Sequence, residues 1–126
     1  MPTDSSLLRR LKSFRYAARG ITAMIRSEPN ARVHALAAAL VILAGFAFEI
    51  ERGEWLAIVL AIGGVFCAEG FNSAFEALCD VASPGRNLRV ERAKDIAAGA
   101  VLLAALAALA VGVIVFGERC LALLSA

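Results

Sequence analysis

The sequence lacks both familiar phosphate-binding motifs, since it has no GxxxxGK[ST] loop and no GxGxxG turn after a strand. Its three cysteines have no metal-binding spacing, and its single histidine has no second histidine with which to share a metal. We expect the cysteines to be small buried apolar side chains and His34 to pack at a membrane interface. The net charge of +2 is too small to indicate a nucleic-acid partner.

Apolar side chains, by contrast, are abundant. They make up 60% of the 126 residues, and the mean hydropathy is +0.75. An ordinary soluble domain has about 45–50% apolar residues, and a chain this short has too little interior to bury the excess. The composition therefore excludes a disordered chain and most soluble enzymes. It predicts an all-α integral membrane protein with a single domain, residues 1–126.

Charge-free stretches indicate where the chain crosses the membrane. They cover residues 35–48, 55–68 and 96–117. The last stretch has 22 residues, which at ~1.5 Å per residue is enough for a hydrocarbon core of ~30 Å. The first two stretches are too short to cross unless the helix also includes polar residues beside them. The second can cross only if Glu69 lies in or near the membrane. The predicted spans are residues 33–50, 55–78 and 95–117.

The segment 5–28 has apolar residues every three or four positions, which is a helical period, and basic residues on its other faces. It predicts an amphipathic helix lying in the membrane surface, with docking on a partner domain as the alternative. Pro29 should end this helix before the first span. The apolar positions are Leu7, Leu11, Phe14, Ala18, Ile21 and Ile25.

Basic residues set the expected orientation. Seven Lys and Arg lie in residues 1–32, and four lie between the second and third spans. The positive-inside rule places both segments in the cytoplasm, with the C-terminus outside. The third span also carries small residues every four positions, which allow close helix packing and favour a homo-oligomer. These are Ala100, Ala104, Ala108 and Gly112.

Five polar residues share one face at the end of the second span, within a sector of about 100° on a helix. This acidic stripe consists of Glu69, Asn72, Ser73, Glu76 and Asp80. Glu28 precedes the first span and Lys94 precedes the third at a matching depth. Carboxylates and a lysine in one place suit metal-assisted phosphoryl transfer, because Mg²⁺ binds carboxylate and phosphate oxygens. The alternative is a helix face toward an aqueous vestibule or toward arginines of a neighbour.

The stripe reads EGFNSAFEALCD, and Lys94 and Asp95 follow in an RAKD context. This pattern closely resembles the prokaryotic diacylglycerol kinase and undecaprenol kinase family, with its E-x-x-N-[ST]-A-x-E-x-x-x-D and A-K-D motifs and its small-residue third span. The resemblance covers nearly the whole chain, residues 14–116. It implies a homotrimer of three-span protomers, each with a surface helix, in the bacterial inner (cytoplasmic) membrane. It also implies phosphorylation of a membrane lipid hydroxyl with ATP as co-substrate and Mg²⁺.

The resemblance implies roles for individual residues. Glu69 would be the general base on the lipid hydroxyl, and Asn72 and Lys94 would contact the transferring phosphates. Glu28 and Glu76 would hold the Mg²⁺ that bridges the ATP phosphates. The remaining nucleotide-contact positions would be Arg9, Tyr16, Gly85, Arg86, Asn87 and Asp95.

Three segments resemble the undecaprenol kinase branch of the family. They are residues 32–34, 53–55 and 94–102. Residues 72–74 are shared with the diacylglycerol branch, so we favour undecaprenol as the substrate and keep diacylglycerol as the alternative. The loop 84–87 departs from the acidic-aromatic-His run common in the family, which leaves nucleotide selectivity open.

A non-catalytic membrane oligomer, such as a cation pathway lined by Glu69 and Glu76, is the competing hypothesis. Such a pathway would continue polar groups toward the other side of the membrane. Between Trp55 and Glu69 the second span has no charged residue, and the other two spans have none at that depth. The polar residues stop partway, which favours a one-sided active site. An inactive scaffold is disfavoured because every acidic position of the motif is filled.

Overall fold

The computed structural model describes residues 6–126, which form four helices and no strand. The helices are α1 (Ser6–Ser27), α2 (Pro29–Ala47), α3 (Arg52–Ala82) and α4 (Leu88–Leu124). The last three are long and apolar enough to cross a membrane, as judged by length and composition. The predicted start of the first helix at residue 5 lies outside the described residues.

The predicted break at Pro29 is confirmed. Glu28 has extended backbone angles, φ −103° and ψ 113°, and Pro29 occupies the start of α2. Proline suits this position because its fixed φ fits the first helical turn and its missing N–H would have no helical acceptor there. The side chain of Glu28 therefore lies at the junction between α1 and α2.

Helices α3 and α4 are longer than the spans predicted from charge. They have 31 and 37 residues, whereas a span needs about 20. Charge-free stretches mark only the part of a helix that can lie in the hydrocarbon core of a membrane. Glu, Arg and Ala are good helix formers, so the helix continues beyond that part. The acidic stripe occupies such an extension of α3, so it forms a continuous helical face with the apolar part.

The three long helices enclose an apolar groove. Helix α3 packs most extensively on α4 and also on α2, whereas α2 and α4 make little direct contact. The groove between them has a volume of about 550 Å³ and is lined by small residues and by larger apolar ones. Its lining includes Ala37, Ala61, Ala105, Ala108 and Gly112. Ala108 and Gly112, from the predicted small-residue ridge, therefore face open space within the protomer.

The end of the bundle at the α2–α3 connection, called the hairpin end here, is closed by two contacts. The indole of Trp55 covers Gly45, where an added Cβ would lie 2.6 Å from Cη2 of the ring, so a larger residue does not fit. The guanidinium of Arg119 donates to both carboxylate oxygens of Glu54, at 2.9 and 3.0 Å. This pair joins the start of α3 to the end of α4.

Few side chains are buried within one protomer. The buried apolar residues of the described chain are Ala31, Ile50, Ile58, Val65 and Val115. Cys67 and Cys120 are exposed and Cys79 is half-buried, so the expectation of buried cysteines is wrong. Cys67 lies on a face of α3 that the protomer leaves exposed, and Cys120 borders the open groove between the helices.

Candidate functional site

The acidic stripe begins at a buried carboxylate. Glu69 is 2% exposed and is the one charged residue of the described chain that is buried. Helix α1 crosses α3 beside it, since an added Cβ on Gly70 would lie 3.5 Å from Sδ of Met24. The side chain is thus covered at the point where three helices, α1, α2 and α3, come together.

His34 on α2 faces this carboxylate. Its Nε2 lies 4.0 Å from Oε2 of Glu69, and its side chain is 21% exposed. From the sequence we expected only interfacial packing for this histidine. No local pattern could have indicated the contact, because the two residues lie on different helices and meet only when α2 packs against α3.

Two further carboxylates lie within electrostatic reach of Glu69. The charges of Glu28, at the α1–α2 junction, and of Glu76, two turns along α3, both act on it. No group of three His, Cys, Asp or Glu side chains in the described chain forms a ready metal cage. Mg²⁺ is commonly held by one or two protein carboxylates together with substrate phosphates, so Glu28 and Glu76 suit this metal as a donor pair.

Helix α4 brings a cation to the far end of the stripe. Nζ of Lys94 lies 2.9 Å from Oδ1 of Asp80, and the charge of Glu76 also acts on this ammonium. The structure therefore brings Lys94 to the stripe, as the sequence analysis expected for the start of the third span. The neighbouring Asp95 is exposed.

Two polar atoms of the stripe are buried without a hydrogen-bond partner in the described structure. They are Oδ1 of Asn72 and Oγ of Ser73. A buried polar atom without a partner costs free energy, and such atoms commonly mark a place where a ligand or water binds. Both residues lie about one turn along α3 from Glu69, so these unpaired atoms belong to the same part of the stripe as the buried carboxylate.

The loop between α3 and α4 has its own local contacts. Oδ1 of Asn87 accepts the backbone N–H groups of Arg89 and Val90 at 2.9 and 3.3 Å, which caps α4. Nε of Arg86 donates to Oε1 of Glu91 at 3.2 Å. Gly85 is exposed in the same loop. The capping role of Asn87 is one that the sequence analysis missed, although Asn immediately before a helix is a recognised signal.

Arg9 and Tyr16 lie on α1 and are exposed. The guanidinium of Arg19 lies 5.8 Å from the centre of the Tyr16 ring. Within residues 6–126, neither Arg9 nor Tyr16 makes a hydrogen bond or ion pair with the stripe. The described structure thus gathers Glu28, Glu69, Asn72, Glu76 and Lys94 at one end of the bundle, and it shows no polar contact between these residues and Arg9 or Tyr16.

Residues 15–116 match the family model of prokaryotic diacylglycerol kinase. The chain belongs to this family. An undecaprenol kinase of Bacillus subtilis (strain 168) is 39% identical over 112 residues, covering 89% of this chain and 91% of its own. A diacylglycerol kinase of Synechocystis sp. is 36% identical over 104 residues, covering 81% of this chain and 59% of its own. The protein is therefore a multi-pass membrane enzyme of the lipid kinase class, for which ATP is the co-substrate.

The cap on α4 predicts how the loop responds to mutation. Asn87→Ala removes the acceptor of two backbone N–H groups and should destabilise the protein by about 0.5–2 kcal/mol. Asn87→Ser keeps a capping oxygen and should retain most of the stability. Thermal melting of the purified protein in detergent measures both variants. Equal melting of Asn87→Ala and the parent would show that the cap contributes nothing.

Proposed function

We propose that this enzyme phosphorylates the hydroxyl of undecaprenol, by direct Mg²⁺-dependent transfer from ATP at the cytoplasmic face of the membrane. Diacylglycerol is the alternative acceptor. The observation that carries the proposal is the buried carboxylate of Glu69 at the apolar end of a stripe whose other acids lie nearer to water. Glu69 is about 10 Å deeper than Glu76, where a lipid hydroxyl can meet it.

In the proposed reaction, Glu69 accepts the proton of the lipid hydroxyl as the oxygen of that hydroxyl attacks the γ-phosphorus of ATP. A new phosphorus–oxygen bond forms, and the bond from the γ-phosphorus to the β–γ bridging oxygen breaks, so that ADP leaves. Lys94 and Asn72 would contact the phosphates, where a cation and an amide can stabilise the transferring group. Asp80, which pairs with Lys94, would hold the ammonium in place.

Glu28 and Glu76 would hold the Mg²⁺, since they are half-buried carboxylates beside Glu69, one at the α1–α2 junction and the other on α3. When bound, this ion would neutralise charge on the ATP phosphates. The nucleotide would extend from there toward Asp95 and the α3–α4 loop. Its further contacts would be Arg9, Tyr16, Gly85, Arg86 and Asn87.

The preference for undecaprenol rests on similarity and not on a chain-length feature of the site. The undecaprenol kinase relative shares 39% identity over 91% of its own length, whereas the diacylglycerol kinase relative is covered only to 59%. Residues 32–34, 53–55 and 94–102 carry the features typical of the undecaprenol branch. The resemblance therefore extends to the start of each span.

For assembly, we propose a homotrimer in the bacterial inner membrane, a single domain over residues 1–126, with α1 on the cytoplasmic membrane surface. Exposed apolar residues on α1, among them Leu7, Leu11 and Phe14, support the surface position. The groove between α2 and α4 supports association, because its small residues leave room for a helix of another protomer.

The acceptor lipid is tested with purified protein in mixed micelles. Radiolabelled ATP and Mg²⁺ are supplied with undecaprenol, diacylglycerol or a long-chain alkane without a hydroxyl. We expect label in undecaprenyl phosphate at a higher kcat/KM than in phosphatidic acid. Faster labelling of diacylglycerol would reverse the proposed preference, and no labelling of either lipid would contradict the proposed function.

Glu69→Gln and Glu76→Gln separate chemistry from metal binding. Glu69→Gln keeps the size of the side chain but removes the base, so it should lower turnover by roughly 10²–10⁴-fold while the affinity for Mg-ATP changes little. Glu76→Gln should abolish turnover and weaken Mg-ATP binding, while the folded oligomer persists. Calorimetric titration with a non-hydrolysable ATP analogue measures the affinity. Loss of nucleotide binding in Glu69→Gln would make Glu69 a ligand.

Ala108→Leu tests the assembly. The added side chain would occupy the groove and should dissociate the trimer or lower its melting temperature. The matched control is Ala107→Leu, on the same helix, because Ala107 is exposed and does not line the groove. Size-exclusion chromatography with light scattering in detergent measures both. Parent-like behaviour of Ala108→Leu would mean that this face contacts lipid.

A further inference from the structure

We propose that His34 is a positioning residue, whose Nε2–H holds one oxygen of the Glu69 carboxylate so that the other oxygen faces the acceptor hydroxyl. This inference rests on the proposed function, in which Glu69 is the base. The supporting observation is that Nε2 of His34 on α2 lies 4.0 Å from Oε2 of Glu69 on α3.

The surroundings of Glu69 explain why its carboxylate needs a donor. The side chain is almost completely buried, and while no Mg²⁺ is bound the negative charges of Glu28 and Glu76 repel it. His34 is a potential hydrogen-bond donor that faces this carboxylate, with its Nε2 4.0 Å from Oε2 of Glu69. A buried carboxylate without a hydrogen-bond donor is costly, so a donor at this position would both stabilise Glu69 and fix the orientation of its carboxylate.

The distance of 4.0 Å is longer than a hydrogen bond, for which N–H···O distances are about 2.7–3.2 Å. A movement of about 1 Å closes the gap, and hydrogen bonds of a catalytic base are often long before substrate binds. The imidazole is 21% exposed and borders the open groove, so one side of the ring is not packed against protein.

The proposed roles follow the general arrangement in which a base activates a nucleophile and a third group orients the base. Here the lipid hydroxyl is the nucleophile, Glu69 is the base and His34 is the third group. Oε2 of Glu69 accepts the Nε2–H of His34. Oε1 then accepts the proton of the lipid hydroxyl as the hydroxyl oxygen forms its bond to phosphorus. His34 touches neither the nucleotide nor the reacting oxygen in this scheme, so its effect passes entirely through Glu69.

Two substitutions of His34 separate hydrogen bonding from packing. His34→Leu keeps much of the volume but has no donor, whereas His34→Gln places an amide N–H near the position of Nε2. With Mg-ATP and either undecaprenol or diacylglycerol in mixed micelles, His34→Leu should lower kcat by about 10–100-fold, and both KM values should stay within about twofold. His34→Gln should recover to within about fivefold of the parent. Chromatography and thermal melting confirm that both variants remain assembled.

A double-mutant cycle with Glu69→Gln supplies the second measurement. Because His34 acts through the carboxylate, His34→Leu should change the residual activity of Glu69→Gln by less than about twofold. An equal loss in both backgrounds would overturn the proposal, as would an increase in the KM for lipid with unchanged kcat. A His34→Gln variant as inactive as His34→Leu would also overturn it.

The outcomes distinguish this inference from the proposed function. Full activity of Glu69→Gln would contradict the assignment of the base itself. Loss of activity in Glu69→Gln together with full activity of folded His34→Leu would leave the base in place and overturn only the positioning role.

Discussion

Burying the carboxylate of Glu69 among apolar helices is the constraint around which the rest of the site is arranged. An ionised group at mid-depth costs on the order of 2.5–3.5 kcal/mol on the insertion scale. The structure limits this cost by placing Glu69 at the boundary, where α3 passes from its apolar part into the polar stripe. His34 faces it there, and α1 covers it through Met24 and Gly70. The helices that meet at this residue are therefore the ones that build the site.

The polarity of the bundle changes along α3. From Glu69 onward one face carries acids and an amide, while toward the hairpin end the same helix contributes Ala61, Val65 and Phe66 to an apolar groove. A continuous polar path would be needed to move an ion across, and this helix does not provide one. The arrangement suits chemistry between a group in the membrane and a soluble one, in accordance with membership of a lipid kinase family.

Local sequence features predicted much of this architecture. Charge-free stretches located three membrane helices, Pro29 marked the break before α2, and helical spacing aligned Glu69 with Glu76 and Asp80. The contact of His34 with Glu69 could not be predicted, since it depends on how α2 rotates against α3. The exposure of Cys67 could not be predicted from local sequence either, because it depends on which helix faces pack together within the protomer. The lengths of α3 and α4 were underestimated because hydropathy shows which residues can lie in the membrane, and a helix can continue beyond them into water.

The ion pair between Glu54 and Arg119 at the hairpin end bears on the order in which the chain is built. The two residues are 65 positions apart, and Arg119 lies near the end of α4. A ribosome delivers α2 and α3 first, so Glu54 has no guanidinium partner while that helical hairpin enters the bilayer. The pair forms only after α4 has followed. The ion pair can therefore form only in a chain whose three membrane helices have all been inserted. A chain truncated before Arg119 would keep its α2–α3 hairpin but lose the bidentate ion pair that joins α4 to α3.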